Sequence, residues 1–425
     1  MNKYDIIIVG GGTAGVSCAW NAAKLGLKTL IIEQNSYLGG SITSSLVIPA
    51  MKTSDNAINT DFFEILYKNL YELNGAITYF DGNKGWFNPE LTKIALDILM
   101  QENNIDVLFE TVVTDINHMN NKILSVCIDS IGINNLYLNK DELSTPIETL
   151  YLVDATGDAK ICRKLNCEFL KNISNKKQPN SLRFIMSGIN IDKFNTWLLE
   201  LDANRQVTTS CNVEGNTYLS TAYTWDSNIQ WALKPLFKQA IKENILETED
   251  CNYFQLFSVA GTSDSIAFNA PRLIGKYKNS TEVYTAGRLS ILRLSRFCKK
   301  YLPGFEKAHI SSIANTLGVR NSGTIRGEYV FTNDDLISGK KFKNPVLVSN
   351  YPVDIHSDKK DCSTLEKVMQ EYQLPLETLQ VKDWKNLFVI GRSVSVDFEA
   401  QAAIRIIPSC FSMGEGLAKY LAKQK

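Results

Sequence analysis

Near its amino terminus the chain reads Tyr4-Asp5-Ile6-Ile7-Ile8-Val9-Gly10-Gly11-Gly12-Thr13-Ala14-Gly15, and this stretch decides the fold. Its first half is an apolar run rich in β-branched residues, which is typical of a buried parallel strand. Its second half fits G-x-G-x-x-G and predicts a tight turn into a helix over residues 16–25. A second strand is predicted over residues 28–32, ending at Glu33. Together these features predict a βαβ unit that binds a dinucleotide.

Each small residue of this stretch has a physical role. Gly10 permits the tight turn, Gly12 lets a diphosphate approach bare backbone, and Gly15 lets the helix pack closely on the strand. The helix N-terminus offers unpaired N–H groups and a partial positive charge to phosphates. Glu33 lies 18 residues after Gly15, where a carboxylate accepts hydrogen bonds from a ribose. The alternative is a glycine turn in an ordinary βαβ unit.

The composition argues against several classes of partner. Lysine plus arginine and aspartate plus glutamate each number 45 among 425 residues, so no net charge favours nucleic acid or an acidic membrane. No stretch approaches the ~18 apolar residues of a membrane span, and the first apolar run is too short for a signal sequence. We therefore expect a cytoplasmic protein that acts on a small molecule, without nucleic-acid or membrane partners. The most basic run, residues 171–177, is expected to be a solvated loop.

The nine cysteines are scattered without the spacing of a disulfide framework. Cys162 and Cys167 have the four-residue gap that some disulfide reductases use. If residues 159–165 form a helix, five positions turn the chain by about 500°, which places the two thiols on different faces. We therefore expect buried structural thiols. Three separated histidines and the lack of Cys-x-x-Cys predict no metal site.

Two further segments are predicted to line the dinucleotide site. Gly39-Gly40 follows the ribose acid, and a glycine pair suits backbone that passes close to a ligand, while Ser41 and Thr43 would add hydroxyl donors. A plain glycine turn is the alternative. The strand predicted over residues 150–153 runs into Asp154-Ala155-Thr156-Gly157-Asp158. Open α/β sheets contact their ligands at such carboxyl ends of strands.

The order of the other predicted elements indicates two domains. Helices are predicted over 61–73, 89–103, 282–301 and from Pro408 to Lys423, with a loop over 397–405. Strands are predicted over 106–109, 111–116, 123–129, 181–190, 251–261, 346–348 and 387–390. The fold class is therefore α/β: a discontinuous Rossmann-like domain with an inserted, mainly antiparallel β-sheet substrate domain. The first comprises 1–165, 305–330 and 380–425, and the second comprises 166–304 and 331–379.

The chain resembles a known family at motifs spread over nearly its full length. Besides the segments above, these are Pro303-Gly304-Phe305-Glu306, Arg320…Arg326-Gly327-Glu328-Tyr329, Tyr351-Pro352-Val353-Asp354-Ile355-His356 and Gly391-Arg392…Glu399-Ala400-Gln401-Ala402. The family is that of the FAD-dependent oxidoreductases in the glutathione-reductase-like flavoprotein clan, which also contains fumarate-reductase-type flavoproteins. Agreement is loose only between residues 190 and 250. One departure is Asp397-Phe398, where family members commonly carry Thr-His.

The resemblance implies FAD as the cofactor. The motifs and the resemblance together predict that the following residues contact it: Gly10, Gly12, Thr13, Ala14, Gly15, Glu33, Gln34, Gly39, Gly40, Ser41, Thr43, Val113, Ala155, Thr156, Gly157, Asp158, Gly391, Arg392, Glu399, Ala402, Ala403 and Ile406. The resemblance also implies that the last helix points its N-terminus, near residues 407–410, at the flavin. That helix end would stabilise negative charge on the reduced ring. A helix that only packs is the alternative.

Four residues are candidates for catalysis or substrate binding. Arg320 and Arg326 lie six positions apart and would either converge through a turn or share a strand face; paired guanidiniums suit a carboxylate. Arg326 alternatively forms an ion pair with Glu328 or Asp354. His356 is the acid–base candidate because imidazole titrates near neutrality.

A structural role is the alternative for His356, and Arg405 either anchors the substrate or holds the loop before the last helix.

The sequence thus predicts an enzyme that transfers a hydride between flavin N5 and a small organic substrate, carboxylate- or hydroxyl-bearing. A tRNA-modifying flavoprotein and an FAD-binding electron-transfer subunit are the alternatives. No second G-x-G-x-x-G follows a strand, so no separate nicotinamide domain is expected. The oligomeric state stays open.

Overall fold

A computed structural model describes residues 3–130, 145–170, 178–222, 224, 229, 231–251, 253–275, 277–356 and 364–425. The basic run at 171–177 lies outside these residues. The strands β1 to β21 are, in order, Lys3–Val9, Thr29–Ile32, Ala76–Ile77, Trp86–Phe87, Asp106–Leu108, Thr111–Met119, Lys122–Ser130, Ile147–Asp154, Asn180–Ser181, Phe184–Ser187, Thr208–Val213, Asn216–Thr221, Leu256–Ser258, Ile266–Phe268, Arg272–Leu273, His309–Ile313, Pro345–Ser349, Val353–Ile355, Thr364–Glu366, Tyr372–Pro375 and Leu387–Val389. The helices α1 to α10 are Thr13–Lys24, Asp61–Glu72, Pro89–Glu102, Lys160–Lys164, Ile191–Leu201, Lys234–Lys242, Ser280–Tyr301, Asn333–Ile337, Phe398–Ile404 and Ile407–Ala422.

The first sheet is built around β1, which pairs in parallel with β2 and β8. β5 pairs in parallel with β2, and β21 pairs in parallel with the end of β8. Ile6, Ile7 and Ile8 are fully buried, as expected of a central strand covered on both faces. β6, β7 and β8 form an antiparallel meander. The carboxyl ends of the parallel strands therefore meet at one edge, where Gly10 and Glu33 follow β1 and β2.

The second sheet is antiparallel, in the order β11-β12-β13-β14-β10-β16, and its strands come from residues 184–313. Aromatic rings fill one side of it: Phe184 stacks on Phe268 with ring centroids 4.6 Å apart, and Phe254 packs 5.5 Å from Phe268. This arrangement confirms the predicted fold class, a Rossmann-like sheet joined to a mainly antiparallel one. The predicted domain boundaries stay a prediction.

Helices α1 and α10 pack side by side and run in the same direction. The Ser17 hydroxyl donates to the Phe411 carbonyl at 2.7 Å, which joins the beginnings of the two helices. Lys425, beyond the end of α10, pairs with Asp5 near the start of β1 at 2.7 Å. Gly414 is required at the crossing, because a Cβ there would lie 2.3 Å from the Ala14 carbonyl oxygen. Both helix N-termini consequently lie at the carboxyl edge of the first sheet.

Two details differ from the sequence-based expectation. The loop predicted over 397–405 is helix α9, and Asp397 caps it by accepting a hydrogen bond from the Ala400 N–H at 2.8 Å. The strand predicted over 181–190 is divided into β9 and β10, and only Leu256–Ser258 of the segment 251–261 is a strand. Within the described ranges, no helix is long and apolar enough to cross a membrane, and no three His, Cys, Asp or Glu side chains lie close enough to hold a metal ion.

Candidate active site

The turn after β1 leaves bare backbone at the edge of the sheet. Gly10 has φ of 104°, and a Cβ there would lie 2.6 Å from the Ala155 carbonyl oxygen. At Gly15 a Cβ would lie 2.0 Å from the Gly10 carbonyl oxygen, so the helix could not approach the strand. Gly12 differs, because the nearest atom to its Cβ position is 3.8 Å away, on Gly40. The space beside Gly12 is therefore a cradle that a side chain would fill.

The second glycine pair forms the other wall of this cradle. Gly12 and Gly39 form a parallel β-bridge, and the Gly39 N–H donates to the Gly11 carbonyl at 2.8 Å. A Cβ on Gly40 would lie only 2.7 Å from the Gly12 Cα. The two glycine-rich segments therefore lie against each other, as predicted for backbone that passes close to a dinucleotide.

The hydroxyl groups near the cradle have different surroundings. Thr13 and Ser41 face each other across it, with their oxygens 3.3 Å apart. Thr43 is buried and donates to the Leu38 carbonyl at 2.7 Å. Thr43 therefore holds the loop in shape, instead of donating to phosphate or flavin as the sequence suggested.

Glu33 lies at the end of β2 with its carboxylate turned to the glycine turn. One oxygen accepts from the Gly11 N–H at 2.7 Å, and the other accepts from the backbone and side-chain nitrogens of Asn35 at 2.8 and 2.7 Å. A carboxylate accepts about four hydrogen bonds, so one acceptor position is left for a ribose hydroxyl.

The neighbouring Gln34 is exposed and accepts from Lys160 at 2.9 Å. Val113 lies half-buried on β6.

The segment after β8 is organised by Asp154, which is 1% exposed. One of its carboxylate oxygens accepts from the Thr156 hydroxyl at 2.7 Å, and the other from the N–H groups of Ile161 and Cys162 at 2.9 and 3.1 Å. Burial raises the pKa of Asp154, and these hydrogen bonds oppose the rise. Asp154 thus holds the loop that contains Ala155 against the end of β8.

Residues from the C-terminal part of the chain form hydrogen bonds with this loop. The Gly157 carbonyl accepts from the hydroxyls of Ser322 and Ser393 at 3.0 and 2.7 Å. Arg392 donates to the Asp158 carboxylate at 2.7 Å, and its backbone carbonyl accepts from Gln401 at 2.6 Å. Distant parts of the sequence are therefore joined at one edge of the first sheet.

The remaining predicted cofactor residues lie on or beside α9 and α10. Ala402 and Ala403 are fully buried in α9, Glu399 is half-buried near its start, and Gly391 approaches Ala14 of α1. Ile406 is the N-cap of α10, and no side chain caps this helix. Helix α1 likewise begins at Gly12 without a side-chain cap. Two adjacent helix N-termini with open N–H groups suit the anionic parts of a dinucleotide.

Four arginines from separate segments of the chain lie near one another. Arg320 is 7% exposed and donates to the Pro179 carbonyl and the Ser181 hydroxyl at 2.7 and 2.8 Å. Burial lowers its pKa well below the usual value, and the nearby cations Arg272, Arg405 and Arg183 lower it further. The four guanidiniums thus act on one another in a buried space. We call this set the arginine cluster.

The arginine cluster reaches both the second sheet and the cofactor edge. Arg183 lies between β9 and β10 and donates to the carbonyls of Leu46 and Ile48, in the loop after Gly40, at 3.5 and 3.4 Å. Burial lowers the pKa of Arg183 to about 10. Arg272 lies over the Tyr253 ring, with its guanidinium carbon 3.7 Å from the ring centroid.

Asp354 is the carboxylate that faces the arginine cluster. Arg405 donates to the Asp354 backbone carbonyl at 2.9 Å and lies 3.7 Å from its carboxylate. Burial acts to raise the pKa of Asp354, but His356, Arg405 and Arg320 more than offset this and hold the pKa below its ordinary value. Asp354 is therefore ionised at neutral pH.

His356 has both ring nitrogens engaged by protein groups. Nε2 lies 3.2 Å from the Asp354 carboxylate, and Nδ1 meets the Arg272 guanidinium. Burial lowers the pKa of His356 to about 3, and Arg320 contributes to the lowering. A neutral ring that accepts from Arg272 through Nδ1 donates through Nε2 to Asp354. This arrangement favours a positioning role over the proton transfer that the sequence suggested.

Arg326 lies apart from the arginine cluster. It pairs with Glu168 at 2.8 Å, and the two side chains are 40% and 56% exposed. Arg326 and Arg320 therefore do not converge, and the ion-pair partner differs from the two that were considered. The backbone N–H of Arg326 also donates to the Glu168 carbonyl at 2.8 Å, which keeps the two residues side by side.

Three members of the site escaped the sequence-based prediction: Arg183, Arg272 and Gln178. The Gln178 side-chain oxygen accepts from the His356 N–H at 3.0 Å and from Arg405 at 3.4 Å. A signal was present for Arg183, which is flanked by the apolar residues Leu182 and Phe184. A charged residue within a predicted apolar strand is costly to bury unless it has a partner, and so marks a candidate site.

Comparison with known proteins gives partial matches to several flavoproteins and their relatives. A thiamine thiazole synthase of Aeropyrum pernix is 30% identical over 175 residues, which cover 38% of this chain and 58% of that protein. A ferredoxin–NADP reductase of Mycoplasmoides gallisepticum is 30% identical over 152 residues, covering 34% of this chain and 41% of that protein. The matches thus span about half of these relatives' lengths. A solved geranylgeranyl bacteriochlorophyll reductase-like protein of Thermoplasma acidophilum is 14% identical, with a TM-score of 0.46, covering 100% of this chain and 79% of that one.

The family comparison extends over almost the whole chain. The family described as FAD dependent oxidoreductase matches residues 5–424. Its cofactor fits the site, because the cradle beside Gly12, the carboxylate of Glu33 and two uncapped helix N-termini meet at one sheet edge. The chain belongs to the FAD dependent oxidoreductase family, and its cofactor is FAD.

Proposed function

We propose that this oxidoreductase transfers a hydride between FAD and a small organic anion that carries one or more carboxylates. The arginine cluster carries the proposal. Arg272, Arg320 and Arg405 act on the Asp354 carboxylate, and Arg183 adds a fourth guanidinium to the same largely buried space. Buried charge is costly unless it is paired. A bound carboxylate would supply the missing negative charge.

Unpaired donors in the same place support an oxyanion as the ligand. The Nε atoms of Arg183 and Arg405 and the Nε2 atom of Gln178 are buried without a hydrogen-bond partner among the described residues. Buried polar groups in native proteins are nearly always hydrogen-bonded, so such a set points to a missing acceptor. Guanidinium groups bind carboxylates in a planar, two-pronged geometry, which also fixes the orientation of the ligand.

The position of the arginine cluster supports a substrate beside the flavin. Arg183 contacts the loop that leaves the second glycine pair, through the carbonyls of Leu46 and Ile48. Arg405 stands two residues before Ile407, the first residue of α10. Both segments also belong to the predicted cofactor edge, so a ligand on the guanidiniums would lie close to the cofactor.

Bound FAD supplies the group that accepts or gives the hydride. The chain's own residues place the anion, exclude water and set the local charge. Arg405 and Arg183 would hold the substrate carboxylate, while His356 keeps Arg272 and Asp354 in place. The uncapped N-terminus of α10 would stabilise negative charge, by up to about 2 kcal/mol in a partly buried geometry.

Anaerobic reduction of the flavin tests the proposal. The holoenzyme is mixed with a panel of small hydroxy- and amino acids, and with the methyl ester of each. We expect bleaching by at least one acid, and much weaker bleaching by its ester, because the ester lacks the charge that the guanidiniums bind. Equal reduction by acid and ester would contradict the anionic substrate. Reduction by a protein donor alone would favour the electron-transfer alternative.

Variants locate the effect in the arginine cluster. Arg405→Gln removes a donor at the site, whereas Arg326→Gln removes a surface arginine paired with Glu168 and serves as the matched control. A hydrogen bond to a charged group contributes about 1.5–3 kcal/mol, so Arg405→Gln is expected to raise KM for the acid by about 10- to 100-fold. The control is expected to behave as the wild type.

A further inference from the structure

The C-terminus of α4 brings two cysteines together. Asn166 follows the helix with φ of 53°, in the left-handed region. Its N–H donates to the Arg163 carbonyl at 3.1 Å, and the Cys167 N–H donates to the Cys162 carbonyl at 2.9 Å. These two bonds form a Schellman motif around the C-cap Leu165, a motif that brings Cys162, three residues before the cap, beside Cys167, two residues after it.

The contact joins the two thiols. The Cys167 N–H bond to the Cys162 carbonyl brings the two residues together, and their side chains lie close enough to act on each other. The expectation that Cys162 and Cys167 lie on different faces is therefore wrong. It assumed that the helical turn continues through residue 167, whereas α4 ends at Lys164 and Asn166 reverses the chain.

The two thiols have different environments. Cys162 is fully buried, and its hydrogen bond to Cys167, with burial, raises its pKa well above the ordinary value. Cys167 is half-buried, and its pKa is lowered because it accepts hydrogen bonds from Cys162 and from the Trp384 side chain. The thiolate is the nucleophilic form of cysteine, so the reactive member of the pair is the accessible one.

We propose that Cys167 and Cys162 are a peroxide-sensitive pair that closes to an intramolecular disulfide. The Cys167 thiolate attacks one oxygen of hydrogen peroxide, the O–O bond breaks, and a sulfenic acid and hydroxide form. The Cys162 sulfur then attacks the sulfenic sulfur, the S–S bond forms, and the S–O bond breaks. The Cys162 proton leaves with the hydroxyl group as water. The pair loses two electrons, and peroxide is reduced to water.

The position of the pair links it to the cofactor edge. The N–H groups of Cys162 and Ile161 donate to one carboxylate oxygen of Asp154, whose other oxygen holds Thr156. The Asp154 carboxylate thus connects the end of α4, where the disulfide would form, to the loop that is predicted to contact FAD. The proposal is independent of the substrate, because it uses neither the arginine cluster nor a hydride transfer.

Peroxide titration of the holoenzyme tests the pair. After digestion without reducing agent, mass spectrometry is expected to find the Cys162 and Cys167 peptides linked, two hydrogens lighter than the reduced peptides. With dimedone present, Cys162→Ser is expected to accumulate an adduct on Cys167, because the resolving thiol is absent. Cys167→Ser is expected to show neither product. Flavin absorbance of each variant confirms that it is folded.

Cys127 on β7 gives the matched control, since it is also half-buried and its sulfur accepts from Asn117 at 3.9 Å. We expect Cys167 to react with peroxide faster than Cys127, because interactions with Cys162 and the Trp384 side chain favour the Cys167 thiolate. Cys127→Ser should form the disulfide as the wild type does. Equal reaction rates, or a disulfide between Cys167 and any cysteine other than Cys162, would overturn the proposal.

Discussion

Gly12 and Gly15 belong to one glycine pattern, but the structure requires them for different reasons. Gly12 has φ of −75° and ψ of −173°, a conformation open to any residue, and its Cβ position is free of close contacts. Gly15 is needed by the fold itself, since its Cβ would overlap the Gly10 carbonyl. The pattern alone cannot separate ligand binding from packing, whereas the distances do.

Alanine at each position separates these roles. We expect Gly12→Ala to leave the unfolding free energy of the FAD-free protein within about 0.5 kcal/mol of wild type but to weaken FAD binding at least about tenfold, or 1.4 kcal/mol. Gly15→Ala should destabilise the FAD-free protein by about 1–3 kcal/mol through overpacking. Urea unfolding and FAD titration check both. Gly275, with nothing within 4 Å of its Cβ position, is the control glycine. Loss of FAD-free stability in Gly12→Ala would contradict the assignment.

His356 predicts a pH dependence of stability. Its pKa is lowered from 6.5 to about 3 by burial, so between these values the unfolded chain binds a proton that the folded protein does not. The unfolding free energy therefore falls as pH falls below about 6.5, by up to about 1.4 kcal/mol per pH unit. Urea unfolding between pH 4.5 and 7.5 should show a shallower slope in His356→Gln than in wild type. An unchanged slope would show that another group carries the dependence.

At the scale of elements, periodic and well-capped segments were predicted to within a few residues. Helix α3, for example, begins at Pro89 behind Asn88, whose side chain accepts from two backbone N–H groups, and was predicted over 89–103. Helix α9 was missed because Phe398–Ile404 is too short to show a periodic pattern. Its cap, Asp397, was present in the sequence. The turn at Asn166 was missed for a similar reason, since a left-handed asparagine follows no hydrophobic period.

Asp397 joins two short helices through its carboxylate. One carboxylate oxygen accepts from the Ala400 N–H at 2.8 Å and the other from the Asn333 N–H at 2.7 Å, which joins the starts of α9 and α8. Asp397→Ala is expected to lower the unfolding free energy by about 1–2 kcal/mol. Asp397→Asn keeps one acceptor oxygen and should cost less. Equal loss in both variants, measured by urea unfolding, would show that charge and not capping matters.

In the whole molecule, the cofactor edge was predictable, whereas only Arg320 and Arg405 of the arginine cluster were. The Gly10–Gly15 turn and Glu33 are close in sequence, so one pattern contains them. Arg183, Arg272, Arg320 and Arg405 come from four distant segments, and only the tertiary fold brings them together. The six-residue spacing predicted that Arg320 and Arg326 act together, but residues close in sequence can lie on opposite sides of a strand or loop.

The most direct test of the proposed anion site beside FAD is a titration of the oxidised holoenzyme with an unreactive dicarboxylate, followed by flavin absorbance. We expect a saturable spectral change in the wild type and in Arg326→Gln, with affinity about 10- to 100-fold weaker in Arg405→Gln. No spectral change in the wild type, or equal affinity in both variants, would contradict the proposal.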